Sequence, residues 1–275
     1  MTKILCGRPV AEKIIDDAAR RSKKLHAQGI TPTLAVVLVG NDPASLIYVR
    51  AKKKVAKQIG VDFLLYSLPA AVSQEDVQQL LVDLHLDDTI HGVLIQLPLP
   101  DHLDLKKLCA FLDPDKDIEN FTNRAGFMPP TPAAVIALMK HYGIGYHGKR
   151  VAIIGQGFLV GQPLLRLLHR AGASVESYDK DTDNIARYAA KADVLICAAG
   201  CPFLVDSKFT NVHQVIIDVG NARGGPNNEL IGDVDVEDVN NKVYAMTPRV
   251  GGVGPVTVAL LMKNVIEAAE KQAVG

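Results

Sequence analysis

The stretch Lys149–Pro163, KRVAIIGQGFLVGQP, decides the fold. A short apolar run, Val151–Ile154, meets glycines at 155, 157 and 161, and a helical pattern follows. Glycine lets a backbone turn sharply and approach a pyrophosphate, and the start of a helix offers N–H groups without partners of their own. An acid, Asp179, stands 24 residues after Gly155 at the end of the next apolar run, Ser174–Tyr178. Strand, glycine turn, helix and downstream acid together predict a βαβ unit that binds a dinucleotide, although the spacing is GxGxxxG rather than GxGxxG.

The acid also bears on which dinucleotide is bound. A carboxylate at the end of the second strand accepts hydrogen bonds from ribose hydroxyls and repels the extra phosphate of NADP. Asp179 therefore favours NAD over NADP. The bland alternative is that it belongs to the polar turn DKDTD (179–183), where Lys180 could still meet a phosphate.

Outward from this unit, the chain alternates apolar runs and helical patterns. Thr33–Val39, Val61–Ser67 and Gly92–Gln96 read as strands, with helices expected near Ser45–Ile59 and Ser73–Leu86. Ser73 and Asp76 are spaced like a capping box. Alternation of this kind indicates parallel sheets covered by helices. The polar, turn-rich region 113–132 ends in Pro-Pro-Thr-Pro, with Thr131 expected as N-cap and Pro132 at the first helical position. It reads as the boundary between two α/β domains: 1–131 together with a C-terminal helix (256–275), and a Rossmann-type domain over 132–255, with a cleft between them.

Composition narrows the partners. Thirty basic and thirty acidic residues cancel, which argues against nucleic acid and charged membrane surfaces. The four cysteines (6, 109, 197 and 201) and eight histidines show no metal-ligand spacing, so no metal is expected. The N-terminus reads as having neither signal peptide nor transmembrane segment, which suggests a cytoplasmic protein.

Three segments could line the cleft. Tyr48-Val-Arg-Ala-Lys52 puts a phenol and an ammonium on one helix face. Gln96 ends a strand, where ligands sit in open α/β sheets. Gly251-Gly-Val-Gly-Pro255 would let a flat ligand approach backbone closely. Each has a bland reading: Arg50, Lys52, Lys53, Lys54 and Lys57 as a solvated face, Gln96 as a core amide, the glycines as a linker.

Taken together, these segments resemble one family over nearly the whole chain: the bifunctional methylenetetrahydrofolate dehydrogenase/methenyltetrahydrofolate cyclohydrolases of one-carbon metabolism. The resemblance is carried by VGNDPASLIYVRAKKK (39–54), HGVLIQLPLP (91–100), PDKDI (114–118), IIGQGFLVGQP (153–163), IIDVG (216–220), GDVD (232–235) and GGVGPVTVALL (251–261), in order. It implies oxidation of 5,10-methylenetetrahydrofolate with NAD or NADP, then hydrolysis to 10-formyltetrahydrofolate. It also implies Lys52 as catalytic lysine, Tyr48 beside the pterin, Gln96 as the lysine's partner, and a homodimer formed through the cofactor domains. Glu119, Gly251, Gly252 and Pro255 fall at substrate-binding positions, and Gly155, Gln156, Gly157, Gly161, Asp179 and Asn221 at the cofactor.

Several residues depart from the family's pattern. Glu119 stands where an aspartate is usual, one methylene longer, and Asn120-Phe-Thr replaces Gly-Phe-His. The following segment is shorter, implying a rebuilt wall of the folate cleft. Arg249-Val250 replaces Val-Pro. Gln156-Gly157 replaces Arg-Ser or a similar pair, Asp179 replaces a serine that helps hold the NADP phosphate, and Asn221 replaces an isoleucine. Two other readings stay open: a dehydrogenase with weakened cyclohydrolase activity, suggested by Glu119, and a binding protein without turnover. A generic amino-acid or hydroxy-acid dehydrogenase explains neither QLPLP nor GGVGP.

Overall fold

The computed structural model describes residues 1–224 and 229–273. In chain order its elements are β1 (Lys3–Ile4), α1 (Arg8–Ala27), β2 (Thr33–Val39), α2 (Pro43–Ile59), β3 (Asp62–Leu68), α3 (Gln74–Leu86), β4 (Gly92–Ile95), α4 (Leu105–Cys109), α5 (Pro130–His141), β5 (Arg150–Ile154) and α6 (Gly161–Arg170). There follow β6 (Ser174–Tyr178), α7 (Ile185–Ala189), β7 (Val194–Cys197), β8 (Val215–Asp218), β9 (Ala222–Gly224), β10 (Glu229–Ile231), α8 (Val236–Val239), β11 (Ala245–Met246) and α9 (Val253–Gln272). None of the helices among the described residues is long and apolar enough to cross a membrane.

The chain forms two compact units. One comprises Ala11–Pro130 and the residues from Val258 onward. Its sheet is parallel, in the order β3-β2-β4. Every residue of the central strand, TLAVVLV, is buried, which is why it reads as a continuous apolar run. Alternate side chains serve opposite faces. Leu34 and Val36 pack with Val49, Ala56 and Ile59 of α2 and Leu261, Val265 and Ile266 of α9. Ala35, Val37 and Val39 pack with Val77, Leu81 and Leu84 of α3.

Local signals start and stop these helices. Asp42 caps α2, accepting from the Ser45 N–H at 2.8 Å, with Pro43 at the first turn and a left-handed Gly60 at the end. Ser73 caps α3 as expected, accepting from the Asp76 N–H at 3.1 Å. Lys116 is buried and donates to the carbonyls of Leu84, His85 and Asp87 at the end of α3.

The other unit comprises Met1–Val10 and Thr131–Thr257. Its parallel sheet has the order β1-β11-β8-β7-β5-β6, beside the antiparallel pair β9–β10. The strand order reverses at β5, and the register pairs Ile154 with both Tyr178 and Cys197, so the C-terminal ends of β5, β6 and β7 line up. Dinucleotides bind at that edge of doubly wound sheets.

Three boundaries differ from the sequence reading. Residues 1–10 go with the Rossmann-type unit, because Lys3 and Ile4 add a parallel strand to β11 and the Leu5 N–H donates to Met246 at 2.8 Å. Two residues of strand are too few to leave a periodic signal. α5 starts at Pro130, placing Thr131 inside the helix. α9 starts at Val253, so Gly254 and Pro255 form its first turn instead of a loop; proline fits there because those N–H groups need no partner within the helix.

Candidate functional site

The lysine face of α2 divides sharply. Arg50, Lys53, Lys54 and Lys57 are exposed, as the solvated-face reading expects. Lys52 is the exception, only 8% exposed, because its position on the helix faces the core with Val49 and Ala56. Its Nζ donates to Gln96 Oε1 at 2.9 Å. Gln96 is itself buried and braced: its N–H donates to Val37 O at 2.8 Å and its Nε2 to Leu97 O at 2.7 Å. Ser45 Oγ reaches the same Leu97 carbonyl at 3.2 Å, tying the first turn of α2 to the end of β4. The Leu97–Pro98 peptide is cis.

Burial lowers the Lys52 ammonium below its ordinary pKa, and the Glu119 carboxylate partly opposes this. Burial raises Glu119, and Lys52 in turn pulls it down. The two charges thus favour each other's ionised form. Tyr48, one turn before Lys52 and half-buried, has its phenol raised by burial. The structure thus brings Lys52 and Gln96 together, with Tyr48 on the same helix and the Glu119 carboxylate within electrostatic reach of the lysine.

The loop carrying Glu119 is built by residues that sequence reasoning left without a role. Asp117 is fully buried, and its carboxylate accepts from the N–H groups of Phe121 (3.1 Å) and Thr122 (2.8 Å) and from the Thr122 hydroxyl (2.8 Å). Asn264 of α9 donates to Ile118 O at 2.8 Å. Asn120, in the place of the family's glycine, takes φ +55°, a left-handed conformation that asparagine tolerates. Its amide also bonds Phe127 O at 3.0 Å and the Ala125 N–H at 3.2 Å. The rebuilt segment is thus a closed, self-bonded loop. The Lys-Asp pair of PDKDI was its visible signal.

In the other unit, each glycine of the dinucleotide turn answers a different need. Gly155 has φ +104°, and a Cβ there would sit 2.2 Å from Ala198 O. A Cβ on Gly161 would sit 1.9 Å from Gly155 O, so this glycine lets α6 start against the turn. Nothing lies within 4 Å of a Cβ on Gly157, which leaves open space over the turn. Val160 precedes α6 and gives it no side-chain cap; the Gln162 N–H donates to Gly157 O at 3.1 Å and Pro163 has no N–H, so in the first turn the Gly161 N–H is left to meet an anion. Gln156 Nε2 donates to Ser177 O at 3.2 Å, which closes the turn onto β6.

Asp179 is part of the polar turn that the sequence offered as its bland reading. Its Oδ1 accepts from the Asp181 N–H and the Thr182 hydroxyl, each at 3.1 Å, which makes it part of the turn. Its Oδ2 has no partner among the described residues, so one oxygen is held in place while the other stays available. Asn221 is exposed just after β8. Gly251 has φ +85° and accepts the Gly7 N–H at 2.8 Å, while Gly252 packs on Thr247. Pro255 is exposed in the first turn of α9.

Comparison with known proteins agrees with this geometry. Residues 5–119 match the model of the tetrahydrofolate dehydrogenase/cyclohydrolase catalytic domain, and residues 129–273 that of its NAD(P)-binding domain. The bifunctional protein FolD of Aquifex aeolicus is 38% identical over 283 residues, covering 99% of this chain and 97% of that protein. The crystal structure of the FolD methylenetetrahydrofolate dehydrogenase/cyclohydrolase from Campylobacter jejuni superposes with a TM-score of 0.94 at 35% identity, covering 98% and 99% of the two chains. The Trypanosoma brucei enzyme, solved with NADP cofactor and inhibitor, gives 0.93 at 30% identity over 100% and 99%.

Proposed function

The chain belongs to the tetrahydrofolate dehydrogenase/cyclohydrolase family, and from that premise we propose how its own residues perform the two steps. It is a bifunctional enzyme that oxidises 5,10-methylenetetrahydrofolate to 5,10-methenyltetrahydrofolate with NAD(P) and hydrolyses that product to 10-formyltetrahydrofolate.

The glycine turn fits the cofactor, because it has a backbone cradle that a Cβ would fill at two of its three glycines and an uncapped helix start. Gly155, Gln156, Gly157, Gly161 and the start of α6 would hold the pyrophosphate, with Asp179 near the adenosine end and Asn221, beyond β8 on the other side of β5, at another part of the cofactor. When bound, NAD(P) supplies the hydride acceptor for the first step. We assign NAD as the preferred form, since Asp179 presents a carboxylate oxygen where a 2′-phosphate would need donors. The assembly we propose is a homodimer through the cofactor domains.

In the hydrolytic step Lys52 is the acid–base group. Burial favours its neutral amine, and Gln96 Oε1 fixes the direction of the Nζ. The amine takes a proton from water as the oxygen bonds to the methenyl carbon and gives it to the ring nitrogen as that carbon–nitrogen bond breaks, while the remaining hydroxyl proton leaves to solvent as the formyl C=O forms. Glu119 keeps the lysine from becoming too weak a base and offers its carboxylate to the pterin's donors. Tyr48 flanks the ring and limits its tumbling. Gly251, Gly252 and Pro255 are the further substrate-binding positions that the resemblance implies.

The single observation that carries this reading is a lysine buried within an exposed cationic run and bonded to a braced glutamine. Its test is the decay of methenyltetrahydrofolate absorbance in Lys52→Met. Loss of enzymatic decay is expected, and an unchanged rate would overturn the assignment.

A further inference from the structure

The motifs IIDVG and GDVD hold two covered carboxylates that neither reaction uses. Asp233 is fully buried. Its Oδ2 accepts from the N–H groups of Ala199 at 2.6 Å and Gly200 at 3.2 Å, and its Oδ1 from Cys201 at 2.8 Å. Three successive N–H groups thus wrap one carboxylate just beyond β7. Asp218, at the end of β8, accepts from Gly220 at 2.9 Å and Asp233 at 3.2 Å through Oδ1, and from Val234 at 3.0 Å through Oδ2. The glycines of both motifs are demanded by these carboxylates. A Cβ on Gly220 would sit 2.2 Å from the Asp233 carboxylate, and one on Gly232 would sit 2.0 Å from Asp218 Oδ2.

This lattice ends at the dinucleotide turn. Ala199, whose N–H bonds Asp233, is the residue whose nitrogen would lie 2.8 Å from a Cβ on Gly155, directly after Ala198 O at 2.2 Å. The 198–201 segment is therefore the wall against which the turn is seated. At its other end the lattice holds Gly220, the residue before Asn221.

We infer that Asp233 is a positioning residue for the cofactor, holding the 199–201 wall behind the glycine turn, and that Asp218 holds Asp233. The inference rests on the dinucleotide reading of that turn and adds residues that touch no ligand. A carboxylate accepting three N–H groups has no equal substitute. Asparagine turns one acceptor into a donor facing an N–H, so at least one of the three is left without a partner and the wall shifts.

The two activities separate this role from a merely structural one, because hydrolysis of methenyltetrahydrofolate needs no dinucleotide. NADH fluorescence titration and methenyltetrahydrofolate decay are measured on the full chain and on Asp233→Asn. The expected result is a Kd for NADH weaker by about tenfold or more, with hydrolysis within about twofold of the parent. An unchanged Kd, or hydrolysis falling in step with affinity, overturns the inference. Should Asp233→Asn fail to fold, Asp218→Asn decides, with an expected loss of about threefold in NADH affinity and an unchanged Kd as the contrary result. Binding is read without turnover, so failure of the Lys52 assignment would show only in the decay assay.

Discussion

The lysine site and the glycine turn reach function by opposite physical routes. Lys52 works because an ionisable side chain is held out of water, so its chemistry depends on the packing of α2 on β2 and β4. The turn works because side chains are missing, and its chemistry is backbone that no Cβ covers. The first site depends on tertiary structure, whereas the second is written in local sequence. The two sites should therefore fail differently when disturbed.

The largest effect belongs to the lysine. Lys52→Met should slow hydrolysis by about 10³-fold or more, within the range of a lost general acid–base group. NADH affinity should stay within about twofold, as read by fluorescence titration. Lys53→Met, on the exposed side of the same helix, should change neither. If Lys53→Met matched Lys52→Met, burial would not be what distinguishes the two residues. Next comes Gly155→Ala, which forces a Cβ into the Ala198 carbonyl at a positive φ. It should weaken NADH binding by about a hundredfold, roughly 3 kcal/mol, while methenyltetrahydrofolate decay persists. Loss of both activities in a folded Gly155→Ala protein would break the contrast.

Acid–base behaviour gives a third probe. Burial, reinforced by Asp233, pushes the Asp218 carboxyl up to about 6 from an ordinary 3.8. A carboxyl raised in the folded state binds its proton more tightly than the unfolded chain does. Its contribution to stability is therefore greatest below pH 4 and falls as pH rises from 4 to 6. On the order of 2–3 kcal/mol is involved. Asp117, Asp233 and Glu119 are raised in the same direction, so only a difference isolates Asp218. Urea denaturation of parent and Asp218→Asn between pH 4 and 7 should show a gap that changes across pH 4–6 and is constant above. A gap independent of pH would mean that Asp218 titrates near its ordinary value.

How much could be read in advance follows the same division. The buried strand Thr33–Val39 was legible to the residue, because a central parallel strand is apolar throughout. The glycine turn was legible because glycine spacing encodes backbone shape directly. Lys52 was not separable from its neighbours by composition: four of the five charges in that run are solvated, and only the helix's orientation on the sheet buries the fifth. The resemblance, not periodicity, singled it out. Asp117, Asp218 and Asp233 were missed because an acid in a polar or glycine-containing stretch reads as a turn, and the N–H groups that wrap them become partners only once the loops are folded. Residues 1–10 were misplaced because their strand exists only by pairing with β11, some 240 residues later.

The smallest expected effect tests how far local sequence can be trusted at the turn. Asp179 has one oxygen fixed by Asp181 and Thr182 and one without a partner. Serine could keep part of the turn through its hydroxyl and would remove the charge that repels a 2′-phosphate. Asp179→Ser should therefore shift the ratio of kcat/KM for NAD over NADP toward NADP by about tenfold, or 1.4 kcal/mol. Most of that shift should appear as a lower KM for NADP, because the substitution relieves repulsion without touching the reacting carbon. If instead both cofactors weaken equally, Asp179 serves the DKDTD turn alone, and cofactor choice lies with Gln156 and Gly157, which stand where the family carries a cation.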